Sequence, residues 1–208
     1  MAVHAPVAKG KEEVVNGWGW PNELVSWNWK GCEGQPMSVN VYSRSPKVKL
    51  YLNDKLIGEK ETNPENYTAT FEVLYEPGAL KAVNSKGKDE FIIKTAGKPA
   101  AIRLMPDRSR IKACKNDLSY VKIELVDKNG NVVPDTFMPV KIECSGKGTV
   151  IAGGNGAYDD MKSFRSLTPN TFRGKAIAIV QPDGEKGGIQ VKVSAEGLPD
   201  ASITIETY

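Results

Sequence analysis

The sequence predicts an all-β protein built as two tandem antiparallel β-sandwiches, and three observations carry that expectation. Twenty glycines and 13 prolines recur between short apolar runs along the 208 residues, punctuation that suits many brief strands. Most of those runs alternate apolar and polar residues with a period of two, which places one set of side chains on a buried face. No stretch sustains a 3.6-residue apolar period over three turns, so no substantial helix is expected.

Residues 1–13 read as a disordered lead or as a boundary inside a longer polypeptide. They lack the basic start, apolar middle and small-residue cleavage site of a signal peptide, and no window of the chain reaches the ~18 apolar residues of a membrane span. All four tryptophans follow within one stretch, Trp18, Trp20, Trp27 and Trp29. Residues 24–29 alternate and read as the first strand, with Val25, Trp27 and Trp29 on one face. Trp18 and Trp20 are interleaved with glycines and followed by Pro21, which suits a loop leading into that strand.

Residues 37–42 form the next strand, and residues 48–58 a hairpin in which Asn53-Asp54 accepts the positive φ of a two-residue turn. Strands over 68–74, 79–83 and 90–95 are separated by Tyr75-Glu76-Pro77-Gly78 and Ser85-Lys86-Gly87-Lys88, both with turn chemistry. Six or seven short strands in this span make one sandwich. Ala96-Gly97-Lys98-Pro99 interrupts the pattern, so the first domain is placed at 14–97 and the second at 98–208. In the second half, strands are expected over 101–104, 109–113, 118–126, 176–180, 189–194 and 202–206, with Val140, Ile142 and Cys144 alternating toward a core. The glycine cluster at 153–156 and the following residues to 169 read as the longest irregular segment.

Composition and motifs exclude several chemistries. The net charge of +3 comes from 28 basic and 25 acidic residues that are interspersed, without the gathered positive charge of a nucleic-acid or membrane footprint. His4 is the only histidine and lies in the lead, so a folded domain holds no Ser/His/Asp or Cys/His nucleophile and no histidine-based zinc site. Asp127-Lys128-Asn129-Gly130-Asn131 has its glycine too early for a calcium loop and Met138 where the closing glutamate belongs, so it reads as a hairpin turn. Asp54, Glu59, Glu61 and Asp89 stand beside lysines or in turns, as solvated carboxylates do. Cys32, Cys114 and Cys144 form no Cys-x-x-Cys unit and leave one thiol over; no disulfide framework is expected, and a single Cys114–Cys144 bridge is the alternative.

The aromatics remain. Trp27 and Trp29 are assigned to structure, because burying a large aromatic stabilises a core by a few kcal/mol. Trp18 and Trp20, with Asn22 and Glu23 as polar neighbours, are open to two readings: a stacking platform for sugar rings, or a contact with another domain.

Several motifs carry a resemblance when taken in order. Asn16-Gly17-Trp18-Gly19-Trp20-Pro21, Ser26-Trp27-Asn28-Trp29, the hairpin from Val48 to Lys55, Tyr75-Glu76-Pro77-Gly78 and Thr95-Ala96-Gly97-Lys98-Pro99 come first. Ala100-Ala101-Ile102-Arg103-Leu104, Asp117-Leu118-Ser119-Tyr120-Val121, Asp127-Lys128-Asn129-Gly130-Asn131-Val132-Val133-Pro134 and Gly154-Asn155-Gly156 continue the set. This set resembles the C-terminal region of bacterial glycoside hydrolase family 2 enzymes, chiefly β-galactosidases. One departure is Asp54, where the family hairpin usually has glycine, a small change because aspartate also accepts a left-handed turn.

The resemblance implies immunoglobulin-like sandwiches, the second of the bacterial type, placed after a (β/α)₈ barrel that holds the family's catalytic glutamates. It therefore implies no catalytic residue in this chain, no metal and no cofactor. The partners implied are the catalytic and N-terminal domains of the same parent chain, in a periplasmic or secreted setting. A polysaccharide is the alternative partner, and an independent adhesin or surface protein is a third reading; neither nucleic acid nor membrane is expected.

Overall fold

The computed structural model describes every residue except Ala8, Asn16, Trp18 and Lys86. The chain divides into Met1–Thr95 and Ala96–Tyr208, and among the described residues all regular structure is strand. The sequence reading placed the break after Gly97.

In the first unit the strands are β1 (Ala2–His4), β2 (Glu23–Leu24), β3 (Pro36–Tyr42), β4 (Lys47–Leu52), β5 (Lys55–Glu61), β6 (Thr68–Leu74), β7 (Ala79–Asn84) and β8 (Glu90–Lys94). They form two antiparallel sheets, β2-β1-β3-β6 and β5-β4-β7-β8. Successive strand side chains point to opposite faces, so Val39 and Val41 of β3 and Phe71 and Val73 of β6 turn inward from one sheet. Leu50 and Leu52 of β4 with Leu80 of β7 meet them from the other, and all belong to one buried cluster. Asn53 and Asp54 take φ of 49° and 62°, the pair of left-handed residues that a tight β4–β5 turn requires.

Two sequence expectations are corrected here. Residues 2–4, expected in a disordered lead, are strand β1: Val3 is fully buried and pairs with Leu24 on one side and Val39 on the other. A three-residue strand is too short to show an alternating pattern. The expected strand over residues 24–29 shrinks to β2. Val25 is exposed while Trp27 is buried, so they do not share a face. Past Leu24 the backbone bonds to side chains: Ser26 Oγ accepts from Asn28 N at 3.1 Å, and the Trp27 carbonyl accepts from Thr95 Oγ1 at 2.6 Å.

The second unit contains β9 (Ala101–Pro106), β10 (Arg110–Ile111), β11 (Ser119–Val126), β12 (Lys141–Gly146), β13 (Gly148–Gly154), β14 (Lys175–Pro182), β15 (Gly187–Ser194) and β16 (Ala201–Thr207). One sheet runs β13-β14-β11-β9 and the other β10-β16-β15-β12. In immunoglobulin lettering the first is D-E-B-A and the second ends G-F-C, the constant-type arrangement. Strand β10 adds to the second sheet by pairing parallel to β16. Ile123 and Leu125 of β11, Ala178 and Val180 of β14, and Ile189 and Val191 of β15 fill the core between the sheets.

Of strand β13, only Gly153 and Gly154 fall in the segment expected to be irregular, and residues 148–152 carry no expectation from the sequence. Its glycines hide it from a pattern reading, but they are required by crowding: a Cβ on Gly148 would lie 2.6 Å from Gln181 O, and one on Gly154 would lie 2.7 Å from the Phe164 ring. All three cysteines are free thiols. Cys144 packs half-buried against the second core, and burial pushes its thiol pKa up.

Candidate functional site

The tryptophan stretch separates into a buried and an exposed part. The Trp27 ring is fully buried, and its Nε1 donates to Glu76 O at 2.9 Å. Tyr75 meets it edge-on, with centroids 5.0 Å apart at 70°. The Tyr75 hydroxyl donates to Trp27 O at 3.4 Å and accepts from Trp29 N at 3.1 Å. Trp29 is partly buried against the same core, and its Nε1 is buried with no hydrogen-bond partner among the described residues.

Trp18 lies outside the described residues. Trp20 is 75% exposed. Asn22 is exposed, and its carbonyl accepts from Ala5 N at 2.8 Å. Glu23 is engaged elsewhere: its carboxylate accepts from Asn40 Nδ2 at 2.6 Å and from the Tyr42 hydroxyl. Burial, then the hydrogen bond and charge of Glu23, push the Tyr42 phenol up to about 12. The acidic member of the candidate set is therefore part of a fixed network on the outer face of β3, and Trp20 remains as the group presented to solvent.

Carboxylates in the second unit are also committed. Asp127 is 4% exposed. Its Oδ1 accepts from Asn129 N and Asn131 N, both at 2.9 Å, and its Oδ2 accepts from Gly97 N at 2.9 Å and Asn131 Nδ2 at 3.1 Å. Burial raises its pKa, but these donors outweigh burial and bring it down to about 2. A carboxylate encircled by N–H groups serves its turn. Glu124, buried on β11, receives Arg103 Nη2 at 2.6 Å and Nε at 2.9 Å, and Arg103 Nη1 reaches Gly130 O at 2.9 Å.

Glycoside hydrolysis requires one carboxyl held protonated as a general acid. Among the described residues, every carboxyl with a clear shift (Asp117, Asp127, Glu143 and Asp160) is shifted down. Hydrogen bonds from Lys112 N and Arg108 lower Asp117, and the Lys141 ammonium lowers Glu143. No group of three or more His, Cys, Asp or Glu residues suited to a metal occurs among the described residues.

The sequence reads the segment between β13 and β14 as irregular but assigns no role to its apolar residues. There Tyr158 and Met161 are 95% and 92% exposed, and Phe164 also faces solvent. The backbone beneath is held in place: Asp160 accepts from Asn155 Nδ2 at 2.7 Å, and Lys162 Nζ donates to Thr168 O and Asn170 Oδ1, both at 2.9 Å. The available signal was three bulky apolar residues in a run otherwise rich in Asp, Ser and Asn.

Comparison with known proteins fits this architecture. Residues 102–204 match the family model described as glycoside hydrolase family 2 C-terminal domain 5. The second unit is a C-terminal domain of glycoside hydrolase family 2. Residues 34–91, within the first unit, match a domain of unknown function (DUF4982). The beta-galactosidase BoGH2A of Bacteroides ovatus is 34% identical over 183 residues, which is 86% of this chain and 21% of that protein. A beta-glucuronidase of Formosa agariphila is 29% identical, across 90% of this chain and 20% of its own length. Among solved structures, a glycosyl hydrolase family 2 member from Bacteroides cellulosilyticus superposes with a TM-score of 0.89 at 34% identity, covering 100% of this chain and 28% of that one. A beta-glycosidase from Bacteroides vulgatus gives 0.82 at 27% identity, with 88% and 24% coverage. The chain thus spans about one fifth of the length of the curated relatives it matches.

Proposed function

We propose that this chain is a non-catalytic accessory region of a bacterial β-galactosidase-like hydrolase, whose two sandwiches pack against the catalytic and N-terminal domains of the same polypeptide. The observation that carries the reading is the match to about one fifth of a β-galactosidase by a chain whose shifted carboxyls are all lowered. The exposed apolar surface of Tyr158, Met161 and Phe164 supports a packing role, because a fixed segment that offers such residues to water suits a partner surface. The test is hydrolysis of a chromogenic galactoside by the 208-residue chain and by a longer chain carrying the upstream domains. Turnover is expected from the longer chain alone. Turnover by the 208-residue chain that a single carboxylate substitution abolishes defeats the proposal.

The exposure of Trp20 favours a second reading, a carbohydrate-binding surface that presents Trp20 and Trp18 to a polysaccharide. Fluorescence titration of the chain and of Trp20→Ala with galactosides and plant polysaccharides tests it. A response lost in the variant supports binding; no response to any glycan at about millimolar concentration rejects it.

A further inference from the structure

A cavity of about 420 Å³ opens at one end of the first sandwich, between the β3–β4 loop and the β5–β6 loop. Its walls are tied together through the backbone: Ser43 N donates to Tyr67 O at 2.8 Å, and Thr62 N donates to Pro46 O at 2.9 Å. The cavity is therefore preformed, as small-molecule sites usually are.

Its lining combines apolar faces with uncommitted donors. Pro46, Pro64 and Tyr67 supply the apolar faces. Tyr67 is 51% exposed and holds φ at 58°, in the left-handed region where a bulky residue is an outlier. It closes a turn by donating its N–H to Asn63 O at 2.8 Å, a position that glycine or asparagine ordinarily fills. Strain of this kind points to a demand for the side chain itself. Arg44 makes no hydrogen bond or ion pair among the described residues, so its guanidinium keeps its full set of donors. Asn63 Oδ1 accepts from Glu65 N at 2.8 Å, which leaves its amide N–H₂ as the free end. The one carboxylate of the lining, Glu61, is 3.5 Å from Lys47. Removing that pair leaves a positive charge at Arg44, N–H donors and an aromatic ring face.

We propose that this cavity binds a carboxylate-bearing pyranose, a uronate, with its ring against Tyr67 and the prolines and its carboxylate on Arg44. Planar, bidentate recognition of carboxylate is what a free guanidinium does best. The apolar CH face of a pyranose matches the ring and the prolines, and the Asn63 amide donates to an acceptor oxygen of the sugar. The site rests on the first unit alone and stands or falls separately from the accessory role.

The experiment is an NMR titration of the ¹⁵N-labelled 208-residue chain with methyl β-glucuronide, methyl β-glucoside and acetate. The glucuronide is expected to shift amides in residues 43–47 and 61–67, with the glucoside and acetate each about tenfold weaker or more. Arg44→Ala is expected to weaken glucuronide binding by about tenfold or more. Tyr67→Asn, which suits the left-handed backbone and so preserves the turn, is expected to abolish it. The proposal is overturned if no amide in the two loops moves at about 20 mM glucuronide. It is equally overturned if the glucoside or acetate binds as tightly, or if either variant binds as the parent does.

Discussion

Truncating Trp27 provides a quantitative test of the first sandwich. Trp27→Ala removes a fully buried indole, its donor 2.9 Å from Glu76 O and its edge contact with Tyr75. Truncation of a large core aromatic to alanine costs about 3–5 kcal/mol. Trp27→Phe retains an apolar ring and drops the donor; the lost hydrogen bond, at about 1 kcal/mol, and the incompletely filled space set its cost near 2 kcal/mol. Trp20→Ala serves as the internal control, since a truncation at 75% exposure falls within about 0.5 kcal/mol of neutral. Urea unfolding followed by far-UV circular dichroism and calorimetry measures all three. In a unit of this size each kcal/mol moves the transition by about 4–8 °C, so Trp27→Ala is expected to lower the transition of the first unit by about 15 °C or more. A loss below about 1 kcal/mol for Trp27→Ala, or an equal loss for Trp20→Ala, refutes the division of the tryptophans into buried and presented groups.

Other measurements bear on the remaining features. The Asp127 pKa of about 2 lies below the ordinary 3.8, so its contribution to stability is present above about pH 4 and is lost as pH falls through about 2. Asp127→Asn is expected to flatten the acid limb of the stability curve over that window in urea melts at stepped pH. Tyr42 is expected to ionise near pH 12 by phenolate absorbance, and Glu23→Gln to bring it part of the way toward 10, because burial remains after the charge is gone. Gly78→Ala is expected to destabilise by about 2 kcal/mol or more in the same melts, since Gly78 has φ of 149° and a Cβ would lie 1.7 Å from Asn53 Oδ1, which accepts from Ala79 N at 2.9 Å. Tyr158→Ser with Met161→Ser is expected to leave chain stability within about 0.5 kcal/mol while weakening association with the upstream domains in a pull-down.

Alternating strands were legible from sequence because burial on one face writes a period of two into the residues themselves. Pro36–Tyr42, Thr68–Leu74 and Lys175–Pro182 show it plainly. Where the backbone is satisfied by something other than a regular ladder, that signal fails. The 24–29 segment looked like a strand because it alternates, yet hydroxyls of Thr95 and Tyr75 take the place of a neighbouring strand at Trp27. Gly148–Gly154 carries no strand signal, and its last two residues read as loop, because its glycines, required by close contacts with Ile189 and Phe164, remove the side chains that carry the period. The candidate site was legible only in part. The exposure of Trp20 suits its glycine-flanked position, but the engagement of Glu23 depends on Asn40 and Tyr42, which reach it from another strand. Arg44 and Tyr67 are brought to one cavity by two loops far apart in the chain, and no local pattern announces that.

The parallel pairing of β10 with β16 gives the second sandwich a mechanical character. Arg110 and Ile111 lie beside Glu206 and Thr207, and backbone bonds from Glu206 N to Ser109 O at 2.8 Å and from Ala113 N to Tyr208 O at 2.9 Å extend the contact. Tension applied to the two ends of this unit loads those bonds together, in shear, because parallel strands pulled in opposite directions slide along their length. Antiparallel strands pulled from adjacent ends open one bond at a time, as a zipper does. The short parallel patch therefore shares such a load among its bonds at once and does not open from one end.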